Sequence, residues 1–208
     1  ILIDTSPDLK SQLLKNNVKN LTHVIYTHKH ADQTHGINEL RPFFWKNNKK
    51  IDVYGNKETI NYLRDNFYYC FKDVDHYKPT LKANIINSKF SIFRKNYKIS
   101  FKAIKIKHGK IYSLGFIFRK MAYLSDCSSL TKENLKNLKN LRYLFIDCLR
   151  LKSHPTHLNL QQTLEIIKIL NPKKTFLVNL GADLDFDFLL KVLPKNVKPG
   201  YDGLSLKI

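Results

Sequence analysis

A short apolar run, His23–Thr27 (HVIYT), leads without a break into Thr27–Gly36, which reads THKHADQTHG. No other feature of the chain restricts its fold as tightly. The run has the length and the β-branched and aromatic content of a buried strand. Directly after it, His28, His30 and Asp32 stand at alternate positions, and alternate side chains of an extended loop point to one side. Two imidazoles and a carboxylate gathered at a strand end suit a divalent ion such as Zn²⁺ or Mn²⁺. A buried strand that opens into a polar, chemically equipped loop is the usual arrangement of α/β proteins.

The rest of the chain supports an α/β reading. Ile1–Asp4 reads as a strand, followed by Ser6 and Pro7 at the expected start of a helix whose face carries Leu9, Leu13 and Leu14. Ile37–Trp45 reads as helical, Ile51–Tyr54 as a strand and Glu58–Phe71 as a helix. Short β-like segments then follow one another: Ala83–Ile86, Phe90–Arg94, Lys98–Ile106, Ser113–Phe118 and Met121–Leu124. Afterwards the signals alternate again, with strands at Tyr143–Asp147, Lys174–Val178 and Leu204–Ile208 and helices at Asn159–Leu170 and Phe186–Leu193. No internal repeat or low-complexity linker interrupts the pattern, so residues 1–208 are expected to form a single domain. Because the chain opens inside a strand-like run, further strands are expected upstream of Ile1, and Ile1–Asp4 is expected to lie within a sheet.

Composition narrows the partners. Hydrophobic residues make up 43% of the chain, enough to build a sizeable core. Neither a signal peptide nor a run of roughly 18 apolar residues is found, so no membrane partner is expected. Three cysteines, Cys70, Cys127 and Cys148, without a Cys-x-x-Cys pair point to a reducing, cytoplasmic setting rather than a disulfide framework. The net charge of +19 allows an anionic partner. The lysines are spread along the chain rather than clustered, however, and heavy use of Lys, Asn and Ile accounts for them better than a dedicated nucleic-acid surface.

At this point the sequence resembles a known family. His28-Lys29-His30-Ala31-Asp32 is similar to the His-x-His-x-Asp-His signature of the metallo-β-lactamase superfamily, and HGINELRPF after it resembles the narrower phosphoribosyl cyclic phosphate phosphodiesterase group. Further similarities run along the chain: LIDTSPD at Leu2–Asp8, IKHGKIYSLGF around His108, AYLSDCS around Asp126, LRLKSHPTHLNLQQTL around His157, and LVNLGADLDF and YDGL near the end. The resemblance implies a four-layer αββα sandwich, with Asp4 bracing the metal loop. It implies metal ligands at His28, His30, Asp32, His108 and Asp126, with Asp126 bridging two metals, and catalytic roles for Asp32 and His157.

Two positions depart from the family pattern. The final His of the signature is Gln33 and the His of the closing motif is Gly181, so two imidazoles expected at a second metal are absent. The first-metal set of His28, His30, His108 and Asp126 is complete, and one Zn²⁺ or Mn²⁺ per chain is the expectation. Restoring both imidazoles is expected to raise metal content. His35 offers a substitute imidazole but is a usual companion residue in this wording; His23 and His76 read as structural, and His154 as a residue that seats the loop of His157. The function implied is metal-dependent hydrolysis of a small, cyclic phosphodiester, with Arg150 a candidate to hold the anion. RNA hydrolysis and a degenerate, non-catalytic binding member are the alternatives.

Overall fold

The computed structural model describes residues 1–94 and 96–207. They form two compact units, Ile1–Asn87 and Ser88–Ile208.

The first unit is built on strands β1 (Leu2–Ile3), β2 (His23–Ile25), β3 (Ile51–Gly55) and β4 (Leu81–Ile85), hydrogen-bonded in that order and all parallel. Parallel neighbours need crossover connections. These carry α1 (Leu9–Lys15), α2 (Ala31–Thr34), α3 (Arg41–Asn47) and α4 (Lys57–Asn66). Leu9, Val24, Tyr26, Leu40, Phe43, Val53, Ile60 and Leu63 form its core. Asn56 starts α4 by accepting the Thr59 amide at 2.8 Å, satisfying one of the helix's orphan donors.

The sequence pattern placed these elements well but missed some of their ends. Ser6 does not cap α1: the cap is Asp8, and Ser6 instead donates to the Asp8 carboxylate at 2.7 Å. The Ile37–Trp45 segment divides into a 3₁₀ turn over Ile37–Leu40 and α3, where Pro42 lies in the first turn. The helix expected to reach Phe71 stops at Asn66, and a 3₁₀ turn over Tyr68–Cys70 follows.

The second unit has a seven-stranded mixed sheet. Strands β5 (Lys89–Arg94), β6 (Tyr97–His108), β7 (Ile111–Phe118) and β8 (Met121–Leu124) form an antiparallel meander. Then β9 (Tyr143–Asp147), β10 (Lys174–Val178) and β11 (Val197–Pro199) add in parallel beyond β8. Their connections hold α5 (Lys132–Asn137), α6 (Leu160–Leu170) and α7 (Phe186–Val192) over a core that includes Ile106, Leu124, Leu144, Ile146, Leu158, Ile167, Leu177 and Leu189. Residues 204–207 are not strand, Ile208 lies outside the described residues, and the edge of the sheet is β11 instead. Helix α5 also had no expectation attached to it; six residues are too few for a readable helical period.

Strand direction sets the position of the chemistry. β6 runs antiparallel to β7, which runs antiparallel to β8, so β6, β8, β9 and β10 all finish at one end of the sheet. His108, Asp126, Asp147 and Asn179 stand at or just after those four strand ends.

Candidate metal centre

In the first unit the loop after β2 is braced from the strand beside it. Asp4, immediately after β1, accepts the Thr27 amide on Oδ1 at 2.7 Å and the Thr27 hydroxyl on Oδ2 at 2.8 Å. Asp4 does this with φ of 58°, a left-handed conformation that Asp tolerates better than most residues. Thr27 Oγ1 in turn lies 3.0 Å from His28 Nδ1. His28 is buried and His30 exposed, yet their rings meet edge-on, with His28 Nε2 and His30 Nδ1 2.9 Å apart. Lys29, between them, turns away to the Glu58 carboxylate at 2.7 Å. This is the alternation expected of an extended loop.

The loop closes against the β1 end. Thr5 N donates to the Gln33 carbonyl at 2.7 Å and Gly36 N to the Thr5 carbonyl at 3.0 Å. A β-carbon at Gly36 would land on the Ser6 carbonyl, so no other residue fits this crossing without a backbone shift. Asp32 is exposed on the first turn of α2, and Gln33 beside it is buried. His35 lies against Tyr62, 3.2 Å from its hydroxyl, and against the edge of Phe67. His23 contacts Thr22 and stacks on Tyr54, and His76 is exposed.

In the second unit His108, Asp126 and His157 each offer a ligand atom within 4.8 Å of the others. His108 Nδ1 donates to the Thr156 carbonyl at 2.7 Å, which fixes its tautomer and makes Nε2 the basic nitrogen. His157 Nδ1 lies 3.0 Å from Asp147 Oδ2, and its Nε2 is 4.0 Å from Asp126 Oδ1. The His108 and His157 rings meet edge-on at 4.8 Å. The basic Nε2 of His108 and the buried Asp126 carboxylate suit a divalent cation, with the His157 imidazole beside them, and no thiolate is in the cluster among the described residues.

Asp147, which motif reading passed over, organises this cluster. It is fully buried at the end of β9 and accepts from His157, from the amides of Cys127 and Leu158 (3.2 Å each), and from Asn179 Nδ2 at 3.2 Å. Burial pushes its carboxyl above the ordinary carboxylate range, while the hydrogen bond and charge of His157 and the two amides pull the other way. Asn179, its fourth partner, is another non-glycine residue held at positive φ, 64°. Positive-φ residues holding a polar cluster are a recurrent mark of functional sites. The available signal was a carboxylate at the end of an apolar strand, the same signal that Asp126 gives after β8.

The loop before α6 positions His157. His154 Nδ1 accepts the Thr156 amide at 3.3 Å and contacts its hydroxyl at 3.1 Å. Arg150 donates through Nη2 to the Ser153 carbonyl at 2.7 Å, and its buried Nε has no partner among the described residues. Gly181 is packed rather than vacant. Its amide donates to the Leu149 carbonyl at 2.7 Å, and a β-carbon there would lie 2.5 Å from that same oxygen. An imidazole at Gly181 therefore requires the 149–181 backbone contact to open.

Comparison with known proteins identifies the family and the fold. The chain is 31% identical over 208 residues to an octanoyltransferase of Porphyromonas gingivalis (strain ATCC BAA-308 / W83), covering 99% of the chain but 42% of that protein. It thus spans less than half of this relative's length. Its structure is similar to the crystal structure of a diphosphatase from the PhnP family, with 29% identity, a TM-score of 0.88, and coverage of 97% of this chain and 76% of the other. Human tRNase Z, short form, shares the fold at 18% identity and a TM-score of 0.71, over 99% of this chain and 88% of the enzyme. A family model described as the β-lactamase superfamily domain matches residues 1–178, which takes in every candidate ligand above. The chain belongs to the β-lactamase superfamily domain family and has the metallo-β-lactamase fold.

Proposed function

We propose that this chain is a metal-dependent hydrolase of a small phosphodiester, a cyclic phosphate included, with His28, His30, His108 and Asp126 as ligands of one Zn²⁺ or Mn²⁺. Asp32 is proposed as a ligand toward a second, weakened position, where Gln33 and Gly181 stand in place of imidazoles. The observation that carries the reading is the His157–Asp147 pair beside Asp126 and His108: an imidazole backed by a buried carboxylate, next to a ligand set. The similarity to a PhnP-family diphosphatase supports phosphate-directed chemistry.

A bound divalent ion would supply Lewis acidity, bringing the pKa of water from 15.7 to about 7. The side chains would do the rest. Asp147 holds the proton of His157 at Nδ1 and stabilises the imidazolium, so that His157 donates from Nε2 to the departing ester oxygen. His108, anchored through Nδ1 to the Thr156 carbonyl, keeps one face of the cluster fixed relative to that donor. Arg150, with its Nε still unpaired, would hold a phosphate oxygen.

The test is hydrolysis of bis(p-nitrophenyl) phosphate and of a ribose cyclic phosphate by protein stripped with chelator and reloaded with Zn²⁺ or Mn²⁺. Turnover that disappears on stripping and returns on reloading supports the proposal. Metal binding without turnover would establish a degenerate member. The net charge of +19 favours one second reading, hydrolysis of RNA. In that case RNA alone would be cut, with binding that weakens steeply with salt.

A further inference from the structure

The second unit also contains a cavity of about 510 Å³ whose lining includes neither His108, Asp126, Asp147 nor His157. It runs between α7 and the β10–β11 edge of the sheet, from Lys173, Lys174 and Asn196 at the start of these strands to Pro199 and Tyr201 at and beyond the end of β11. Phe186 and Leu190 of α7, together with Tyr201, Leu204 and Leu206 of the segment after β11, supply much of its apolar lining. Phe186, Leu190 and Tyr201 are 40%, 50% and 59% exposed, and the Phe186 and Tyr201 rings meet edge-on at 6.2 Å. Lys173, Lys174, Lys195 and Lys198 surround the cavity, all exposed, and no carboxylate is among its lining residues that the structure describes. The lining also includes Thr175, which is fully buried and whose hydroxyl has no hydrogen-bond partner among the described residues.

We propose that this cavity binds a single-chain anionic amphiphile, a fatty carboxylate or an acyl phosphate, with its chain against α7 and its head among the four lysines. The volume lies within the usual 300–1,000 Å³ range of small-molecule sites, and apolar walls with a few convergent polar groups are their usual character. Charge selects the occupant. Four ammonium groups with no opposing carboxylate among the described lining residues favour an anion. They disfavour a second copy of the chain seated symmetrically here, which would bring like charges together. The apolar walls exclude an inorganic anion as the whole ligand, because nothing in it would cover Phe186 and Leu190. The site does not depend on the metal centre or on turnover there.

Isothermal titration of the intact chain with decanoate, dodecanoate and tetradecanoate, each below its micellar concentration, tests the proposal, with dodecyltrimethylammonium as the matched cation. Saturable one-to-one binding is expected, tightening by up to about fourfold per added methylene until the cavity is filled, with the cation at least tenfold weaker. Leu190→Glu, at a half-exposed position, should weaken dodecanoate at least tenfold. The double variant Lys195→Glu/Lys198→Glu, on exposed side chains that leave the core untouched, should abolish the preference for the anion. Equal affinity for dodecanoate and dodecyltrimethylammonium would overturn the proposal, as would unchanged binding in a folded Leu190→Glu chain. A dimer in sedimentation that Leu190→Glu dissociates would overturn it in favour of self-association. Pelleting with phosphatidylglycerol vesicles, without saturable binding of free dodecanoate, would assign the surface to membranes instead.

Discussion

Four donors converge on the Asp147 carboxylate, three on Oδ2 and one on Oδ1. Asp147→Asn exchanges an acceptor for an amide that cannot accept from all of them, so one buried donor loses its partner at a cost of about 1–3 kcal/mol. On the proposed mechanism the variant should also lose turnover and shift the alkaline limb of its pH–rate profile, because the imidazolium of His157 loses its counter-charge. A loss of stability with an unchanged profile would leave Asp147 a structural role only. His157→Ala should keep the fold and lose about 10²–10⁴-fold in rate, with less loss on esters having very good leaving groups. Equal loss for all leaving groups would remove the proton-donor role. The cysteines give an independent check on packing. Burial pushes the Cys70 thiol up to about 11 and the Cys148 thiol up to about 12. With Cys127 also buried, all three should resist a thiol reagent at neutral pH until the protein unfolds. Rapid labelling of the folded chain would contradict that packing.

Among the elements, α6 and the loop before it show how a helix start can serve a site. Asn159 caps α6 by accepting the Gln162 amide, and Gln162 returns the bond to the Asn159 amide. Asn159→Ala should cost about 1 kcal/mol. Because Leu158 and His157 both bond Asp147, a displaced cap should also lower turnover per folded molecule, measured beside the thermal melt. Gly36→Ala tests the other loop. Its β-carbon meets the Ser6 carbonyl, and a loss on the order of 2–3 kcal/mol is expected for such overpacking. A Gly36→Ala protein as stable as the parent would show that the THKHADQTHG loop is looser than its hydrogen bonds imply.

For the whole molecule, the family match over residues 1–178 runs through both compact units. A chain that forms one domain should unfold in urea as one transition seen alike by far-UV circular dichroism and by Trp45 fluorescence; separate midpoints would mean two independently stable units. Elemental analysis should find at most one tightly bound metal per chain, since Gln33 and Gly181 bring no imidazole to a second position. Chelation should lower the melting temperature, because a ligand that binds only the folded state stabilises it. Two stoichiometric metals would refute the reading of those positions.

The sequence by itself determined the α/β pattern, most strand positions, and His28, His30 and Asp32 as candidates. These are short-range properties: apolar periodicity, and alternation of ligand-type side chains after a strand, both written in consecutive residues. His108, Asp126 and His157 entered as candidates only through the resemblance of their surrounding motifs to the family's. Asp4 was legible as a brace only through the family wording, and its bonds to Thr27 now supply the mechanism. Tertiary structure alone decided the role of Asp147, whose partners come from positions 127, 157, 158 and 179. It also decided that Gly181 is pressed on the Leu149 carbonyl, and that β11, rather than residues 204–207, ends the sheet. Each of these is fixed by which strands are parallel neighbours and where they end, and the spacing of residues along one segment carries no record of its neighbour across the sheet.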